Sequence, residues 1–307
     1  MATRMITPPP LEEGDTVGVV APARSIKPEE IEAAIRLIES WGLWVVVGKN
    51  LYSSYHQFAG KDEDRASDLQ QMMDDENIKA ILCARGGYGT VRTLQHLDFH
   101  YFTRNPKWIV GFSDITVLHN YINQHLHIKT LHAQMPLNFP REGADNRSTD
   151  LLKKVLFGRS LSYSWKPSRT PELKDILSGT LTGGNLSVIY SLSATPYDLQ
   201  TKGKILFLED VDEYLYHIDR MMMNLKLSGK LQVINALLLG GMTSMNDNSL
   251  PFGKDAYQII YDIMDELNIP VIPDCPAGHS ATNLPLIMGS HVKINQKAGK
   301  ITLEFAD

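Results

Sequence analysis

Five short stretches carry the residues best suited to chemistry, and each falls just past a predicted β-strand. Gly111-Phe112-Ser113-Asp114 closes the apolar run 108–111, and a helix is expected from 114 to 125. A serine at such a junction can stand on a sharp turn with its hydroxyl exposed, while the next N–H points at the same reacting oxygen. Ser and Asp are equally ordinary helix caps, and G-x-S-x-G is absent, so this stretch alone allows a nucleophile or a cap. Arg85-Gly86-Gly87-Tyr88-Gly89-Thr90 follows the strand expected over 78–84. Its glycines let backbone N–H groups converge on a phosphate or on the oxyanion of acyl transfer, or make only a tight turn. It is not a dinucleotide fingerprint, because G-x-G-x-x-G is missing and the first turn, Ala21-Pro22-Ala23-Arg24, has no glycine.

Glu209, Asp210, Asp212 and Glu213 follow the apolar run 205–208. One carboxylate there can orient a histidine while the others answer a helix dipole, and Glu209, nearest the strand, is the choice. His279, in Pro276-Ala277-Gly278-His279-Ser280, is a general-base candidate in a loop after the short strand 271–272, and His132 is another after its own strand. Gly183-Gly184-Asn185, expected between a strand and a helix, suits either close approach of a substrate or close helix packing. H-E-x-x-H is absent, and no metal site or cofactor is expected. Met221-Met222-Met223 lies in a helix, and core packing accounts for it.

The elements that position these residues alternate. Strands are expected over 15–21, 43–47, 78–84, 108–111 and 129–132, with helices at 28–41, 62–75 and 114–125 between them. That order favours a parallel sheet covered on both faces. From 140 to about 171 the period is lost, apart from a helix-like stretch at 150–157, and the composition turns to Arg, Ser, Asn and Pro. A second series has strands at 178–182, 204–208 and 233–239, helices at 214–227 and 255–267, and a closing hairpin over 291–305. Domains are therefore expected at 1–140 and 173–307, with 141–172 as a linker or crossover. A length of 307 residues with 43 % hydrophobic content supports two real cores. Lys plus Arg is 30 against 35 for Asp plus Glu, the net charge is −5, and no block of like charge occurs, which argues against nucleic acid. Cys83 and Cys275 are far apart and read as reduced, buried thiols. No signal-peptide core and no apolar run of about 18 residues is found, so no membrane partner and a cytoplasmic location are expected.

Taken in order, the segments Gly14-Asp15-Thr16-Val17-Gly18-Val19-Val20-Ala21-Pro22, Phe58-Ala59-Gly60 with Arg65 and Asp68-Leu69, Arg85-Gly86-Gly87-Tyr88-Gly89, Gly111-Phe112-Ser113-Asp114, Thr182-Gly183-Gly184-Asn185-Leu186, Leu208-Glu209-Asp210 with Ile218-Asp219-Arg220, and Gly278-His279 resemble the LD-carboxypeptidase family. These are serine peptidases that include muramoyltetrapeptide carboxypeptidases and microcin C7 self-immunity peptidases. The resemblance spans nearly the whole chain and departs from the family pattern in Asn283-Leu284-Pro285-Leu286-Ile287-Met288-Gly289, where Asn and Pro-Leu-Gly are usually closer together. It implies an α/β fold with a three-layer, parallel-sheet N-terminal domain bearing the nucleophile, and a smaller, swivelling β/β/α-like C-terminal domain. It also implies Ser113 as nucleophile, His279 as base, Glu209 as its partner, and an oxyanion hole of the Gly87 and Asp114 N–H groups. The implied reaction is hydrolysis of the bond between meso-diaminopimelate and the terminal D-Ala of a murein tetrapeptide, by a homodimer. Arg85, Gly86 and Asn185 are candidate substrate-binding residues, with Arg220 a further cation. The first alternative is a microcin-type peptidase acting on an aminoacyl-nucleotide, with Trp165 or Tyr88 as an aromatic platform. The second is a non-catalytic nucleotide- or phosphate-binding module built on the Gly86-Gly87 loop.

Overall fold

The computed structural model describes residues 4–140, 147–171, 173 and 175–306, and the chain divides into two compact units. The first comprises residues 1–160 with 284–287, the second 161–283 with 288–307.

The first unit runs β1 (Thr16–Val20), α1 (Pro28–Glu39), β2 (Trp44–Val47), α2 (Asp62–Asp74), β3 (Ile78–Cys83), α3 (Thr90–Leu94), α4 (His100–Arg104), β4 (Trp108–Gly111), α5 (Thr116–Tyr121), β5 (Thr130–His132) and α6 (Arg147–Leu156). In α1, Pro28 occupies the first turn and the Glu30 carboxylate accepts the Lys27 N–H at 2.7 Å, a local reason for the helix to begin there. Ile31, Ala34 and Ile38 share its buried face. The strand β1 is flanked in parallel by β2 and β3, and Val17, Val19 and Val20 are fully buried between the layers. The helix expected over 114–125 is broken into a 3₁₀ turn at Ser113–Ile115, then α5, then a π-helical turn at Ile122–Leu126 that ends with His127 in a left-handed conformation.

The second unit contains β6 (Ser162–Trp165), β7 (Leu177–Asn185), α7 (Leu186–Ser191), β8 (Lys204–Val211), α8 (Leu215–Leu227), β9 (Ala236–Thr243), α9 (Ala256–Glu266) and β10 (Val271–Ile272). Next comes β11 (Leu286–Met288), which borders β5 at the edge of the first sheet, and then the hairpin β12 (His291–Lys297) and β13 (Lys300–Ala306). The six-stranded sheet has the order β11-β5-β4-β3-β1-β2, the seven-stranded sheet β10-β9-β8-β7-β12-β13-β6. Strands β7 to β10 are parallel, whereas β12, β13 and β6 add on antiparallel. The amphipathic stripe of α9, Ile259, Ile260, Ile263 and Met264, packs with Ile218, Met221 and Met222 of α8 in one buried cluster.

Several expected boundaries are corrected. The Gly183-Gly184-Asn185 stretch does not lie between strand and helix but forms the end of β7. Glu209 and Asp210 lie within β8, with Asn185 paired in register to Glu209. The strand expected at 233–239 is β9, three residues later and longer. A short polar strand, β6, occupies part of the stretch expected as linker, while 141–146 lie outside the described residues.

Candidate active site

In the first sheet the strand order reverses at β1, with β2 on one side and β3 on the other. Sites in open α/β sheets form beyond the carboxyl ends of the strands at such a switch point. The residues placed there are the turn after β1, the glycine loop after β3 and the serine turn after β4. Ser113 has φ +62°, which is uncommon for a residue with a side chain and marks a strained turn at the start of the 3₁₀ helix.

The loop 85–89 is shaped around that serine. A Cβ at Gly86 would come within 3.0 Å of Ser113 Cβ and 3.2 Å of its Oγ, so a side chain there would crowd the serine. Gly87 and Gly89 have φ of +109° and +138°. A Cβ at Gly89 would lie 2.6 Å from Arg65 Nη1. That buried guanidinium donates to Pro22 O at 2.7 Å, Gly89 O at 3.0 Å and Thr93 Oγ1 at 3.0 Å, and it pairs with Asp62. Asp114 closes the other side, because its buried carboxylate accepts the Thr90 N–H at 2.8 Å. Burial pushes the Asp114 carboxyl up, against that hydrogen bond.

Arg85, a candidate substrate-binding residue, is already engaged within the first unit. It donates to Ser25 O at 3.1 Å and lies 3.8 Å from Glu30. His132 is fully buried in β5, its ring 5.8 Å from Phe112 and 6.3 Å from His119, away from the solvent a general base must face. His119 is also a core histidine, lowered to about 4 by burial.

In the second unit, His279 Nδ1 donates to Glu209 Oε2 at 2.7 Å, and the His279 backbone N–H reaches the same oxygen at 3.0 Å. Glu209 is completely buried and the His279 side chain one-fifth exposed. With Nδ1–H spent on the carboxylate, Nε2 keeps the lone pair needed to take a proton. Burial lowers the imidazole, but the hydrogen bond and charge of Glu209, with the charge of Asp210, outweigh it and leave His279 above its usual value.

Gly278 is required for this pairing. Its φ is +103°, and a Cβ there would lie 2.7 Å from both Cβ and Oε2 of Glu209. Its N–H is held by Asn283 Oδ1 at 2.9 Å, and Thr243 Oγ1 donates to His279 O at 2.6 Å. Asp210 points elsewhere: it accepts from Asn185 Nδ2 at 2.9 Å, the Ser187 N–H at 2.8 Å and its own neighbour Val211. Burial and the charge of Glu209 push it up to about 7. Asn185 in turn caps α7 by accepting the Val188 N–H, so its side chain serves the end of β8 as much as any ligand. Glu213 pairs with His217 at 2.5 Å rather than with His279.

Arg220 lies 5.1 Å over the Tyr216 ring, and Trp165 Nε1 donates to Pro273 O at 2.9 Å. Sequence reasoning did not single out Arg24, Thr243 or Asn283. Thr243 lay beyond the strand end expected at 239, and the Asn283 bond joins loop positions that no periodicity marks. Cys83 and Cys275 are buried, and burial pushes both thiols up. No group of three or more metal-binding side chains, and no helix long and apolar enough to cross a membrane, occurs among the described residues.

Residues 17–133 match the family described as LD-carboxypeptidase N-terminal domain, and residues 178–294 the family described as LD-carboxypeptidase C-terminal domain. A Bacillus subtilis (strain 168) protein named "Probable murein peptide carboxypeptidase" is 35 % identical over 296 residues, which cover 94 % of this chain and 91 % of the relative. The crystal structure of muramoyltetrapeptide carboxypeptidase from Oxalobacter formigenes superposes with a TM-score of 0.86 at 28 % identity, over 95 % of this chain and 99 % of that one. The microcin C7 self immunity protein superposes with a TM-score of 0.85 over 96 % of this chain and 97 % of its own, at 19 % identity, a likeness of fold alone.

Proposed function

The chain belongs to the LD-carboxypeptidase family, and from that premise we propose that it removes the terminal D-Ala of a murein tetrapeptide by cutting the L,D bond after meso-diaminopimelate. Ser113 on the N-terminal domain, 1–140, is the nucleophile, and Glu209 and His279 on the C-terminal domain, 173–307, complete the triad, with 141–172 joining the two.

His279 Nε2 takes the proton of Ser113 Oγ as the oxygen attacks the carbonyl carbon of the scissile bond. The Gly87 and Asp114 N–H groups receive the oxyanion. His279 then gives its proton to the departing D-Ala amine, and water, deprotonated by the same imidazole, releases the acyl group. Glu209 holds the imidazole in the tautomer with Nδ1–H and stabilises its charged form.

The observation that carries this reading is the Glu209–His279 pair, in which one buried carboxylate oxygen fixes both the ring and the backbone of the base. The names of the relatives support the substrate, and the left-handed turn at Ser113 supports the nucleophile. The enzyme works in the cytoplasm without nucleic acid, a setting supported by two buried, separated cysteines and a net charge of −5, and as a homodimer, which rests on the family resemblance alone.

Mass spectrometry of murein tetrapeptide after incubation tests the reaction, with loss of one D-Ala expected. Ser113→Ala should lower kcat by roughly 10³-fold or more, leaving the residual catalysis of binding and oxyanion stabilisation. Wild-type turnover in that variant refutes the assignment of the nucleophile.

A further inference from the structure

A peptidase that removes one terminal residue must recognise the free carboxylate next to the bond it cuts. Three bonds separate the scissile carbonyl carbon from that carboxylate carbon, so they lie at most about 4.3 Å apart. The cation that reads the carboxylate must therefore stand beside the oxyanion donors.

Arg65, Arg85 and Arg92 surround the glycine loop, and each already has a protein acceptor. Arg65 is consumed by Pro22, Gly89, Thr93 and Asp62, Arg85 by Ser25 and Glu30, and Arg92 by Asp62 at 2.6 Å. Arg24 differs. It is exposed, follows β1 at the switch point of the sheet, and its guanidinium has no hydrogen bond or ion pair to any described residue.

Its backbone is fixed, with its N–H directed at Gly86 O at 3.4 Å and a bridge to Phe58. Its stem lies across Gly87: a Cβ at that glycine would fall 2.5 Å from Arg24 Cδ, 2.7 Å from Cγ and 2.8 Å from Nε. Gly86 faces Ser113 in the same way. Two adjacent glycines, with Cα atoms about 3.8 Å apart, thus lodge the serine on one and the arginine on the other. In this way the arginine stem and the serine side chain approach neighbouring positions of one loop.

We propose that Arg24 is the specificity-determining cation that binds the C-terminal carboxylate of the peptide substrate. A guanidinium with no hydrogen-bond acceptor among the described residues, felt only through its charge by the buried Asp114, stands on a fixed backbone beside an oxyanion donor and offers the planar fork that suits a carboxylate. This assignment rests on the proposed reaction, so its test includes binding as well as turnover.

The probes are L-Ala-γ-D-Glu-meso-diaminopimelate-D-Ala and the same peptide ending in D-alaninamide. The wild-type enzyme should favour the acid by about 10- to 100-fold in kcat/KM. Arg24→Gln should bring that ratio close to 1, and Arg24→Lys should restore part of it. In calorimetry on the Ser113→Ala protein, the acid should bind more tightly than the amide, and adding Arg24→Gln should remove the difference. An acid-to-amide ratio unchanged by Arg24→Gln, or equal binding of the two peptides to Ser113→Ala, overturns the assignment. Failure of the wild-type protein to release D-Ala overturns the proposed reaction instead, and the binding ratio still decides the role of Arg24.

Discussion

At the scale of single residues, the site depends on what glycines leave out. Gly278 and Gly86 lack side chains that would crowd Glu209 and Ser113, respectively. The electrostatic consequence is concentrated on His279, which must be neutral to accept a proton but is held above its usual value, against burial, by Glu209 and Asp210. Activity should therefore fall as pH drops through a value higher than the ordinary histidine pKa of about 6.5. Asp210, pushed up to about 7 by burial and by Glu209, titrates in the same window, so the acidic limb reports coupled groups rather than one proton. In Glu209→Gln the raising influences of that carboxylate vanish while burial remains. The limb of kcat/KM should then move to lower pH, with kcat reduced about 10³- to 10⁴-fold through loss of the correct tautomer. A pH–rate profile decides the matter, and a limb that stays in place would show that another group sets it.

At the scale of elements, the site is made by loops at strand ends, and the strand ends are where sequence reading was least accurate. Glycines and carboxylates usually mark turns, yet Gly183 and Gly184 extend β7 and Glu209 and Asp210 extend β8, because pairing with a parallel neighbour satisfies their backbone. A Cβ at Gly183 would lie 2.1 Å from Phe207 O, so that glycine serves close strand packing. The glycine loop after β3 was legible from its composition, but its support was not. Arg65 reaches it from α2, 24 positions before Gly89, through a contact that no local period reveals. Arg65→Lys keeps the charge but cannot span Pro22, Gly89, Thr93 and Asp62 together. The expected result is a stability loss of about 2–4 kcal/mol by denaturant titration, from buried acceptors left unpaired. The looser loop should also lower kcat about 10-fold or more while changing KM less. Full kcat in a destabilised variant would limit Arg65 to holding the fold.

At the scale of the whole molecule, alternation of strand and helix made the parallel sheets legible, whereas the chain's last excursion was not. Leu286-Ile287-Met288 is three residues long and gives no period, yet it forms β11 beside β5, before the chain returns to make β12 and β13 in the other sheet. The Glu209–His279 pair, 70 positions apart, was likewise accessible only through the family resemblance, since local pattern is blind to such distances. The path has a consequence for stability. Removing everything from 284 onward strips β11 from the first sheet, and from the second it takes both β12, the partner of β7, and β13, the partner of β6. Val292, Ile294, Ile301 and Leu303 in that hairpin are fully buried. At about 1.5–3 kcal/mol each, their burial amounts to roughly 6–12 kcal/mol, as much as the entire stability of an ordinary domain. A chain ending at 283 should therefore lose the second unit's share of the cooperative thermal transition by circular dichroism and should bind a hydrophobic dye. If it instead melts with the full amplitude of the intact chain and within a few degrees of it, the C-terminal strands are dispensable and the burial argument fails.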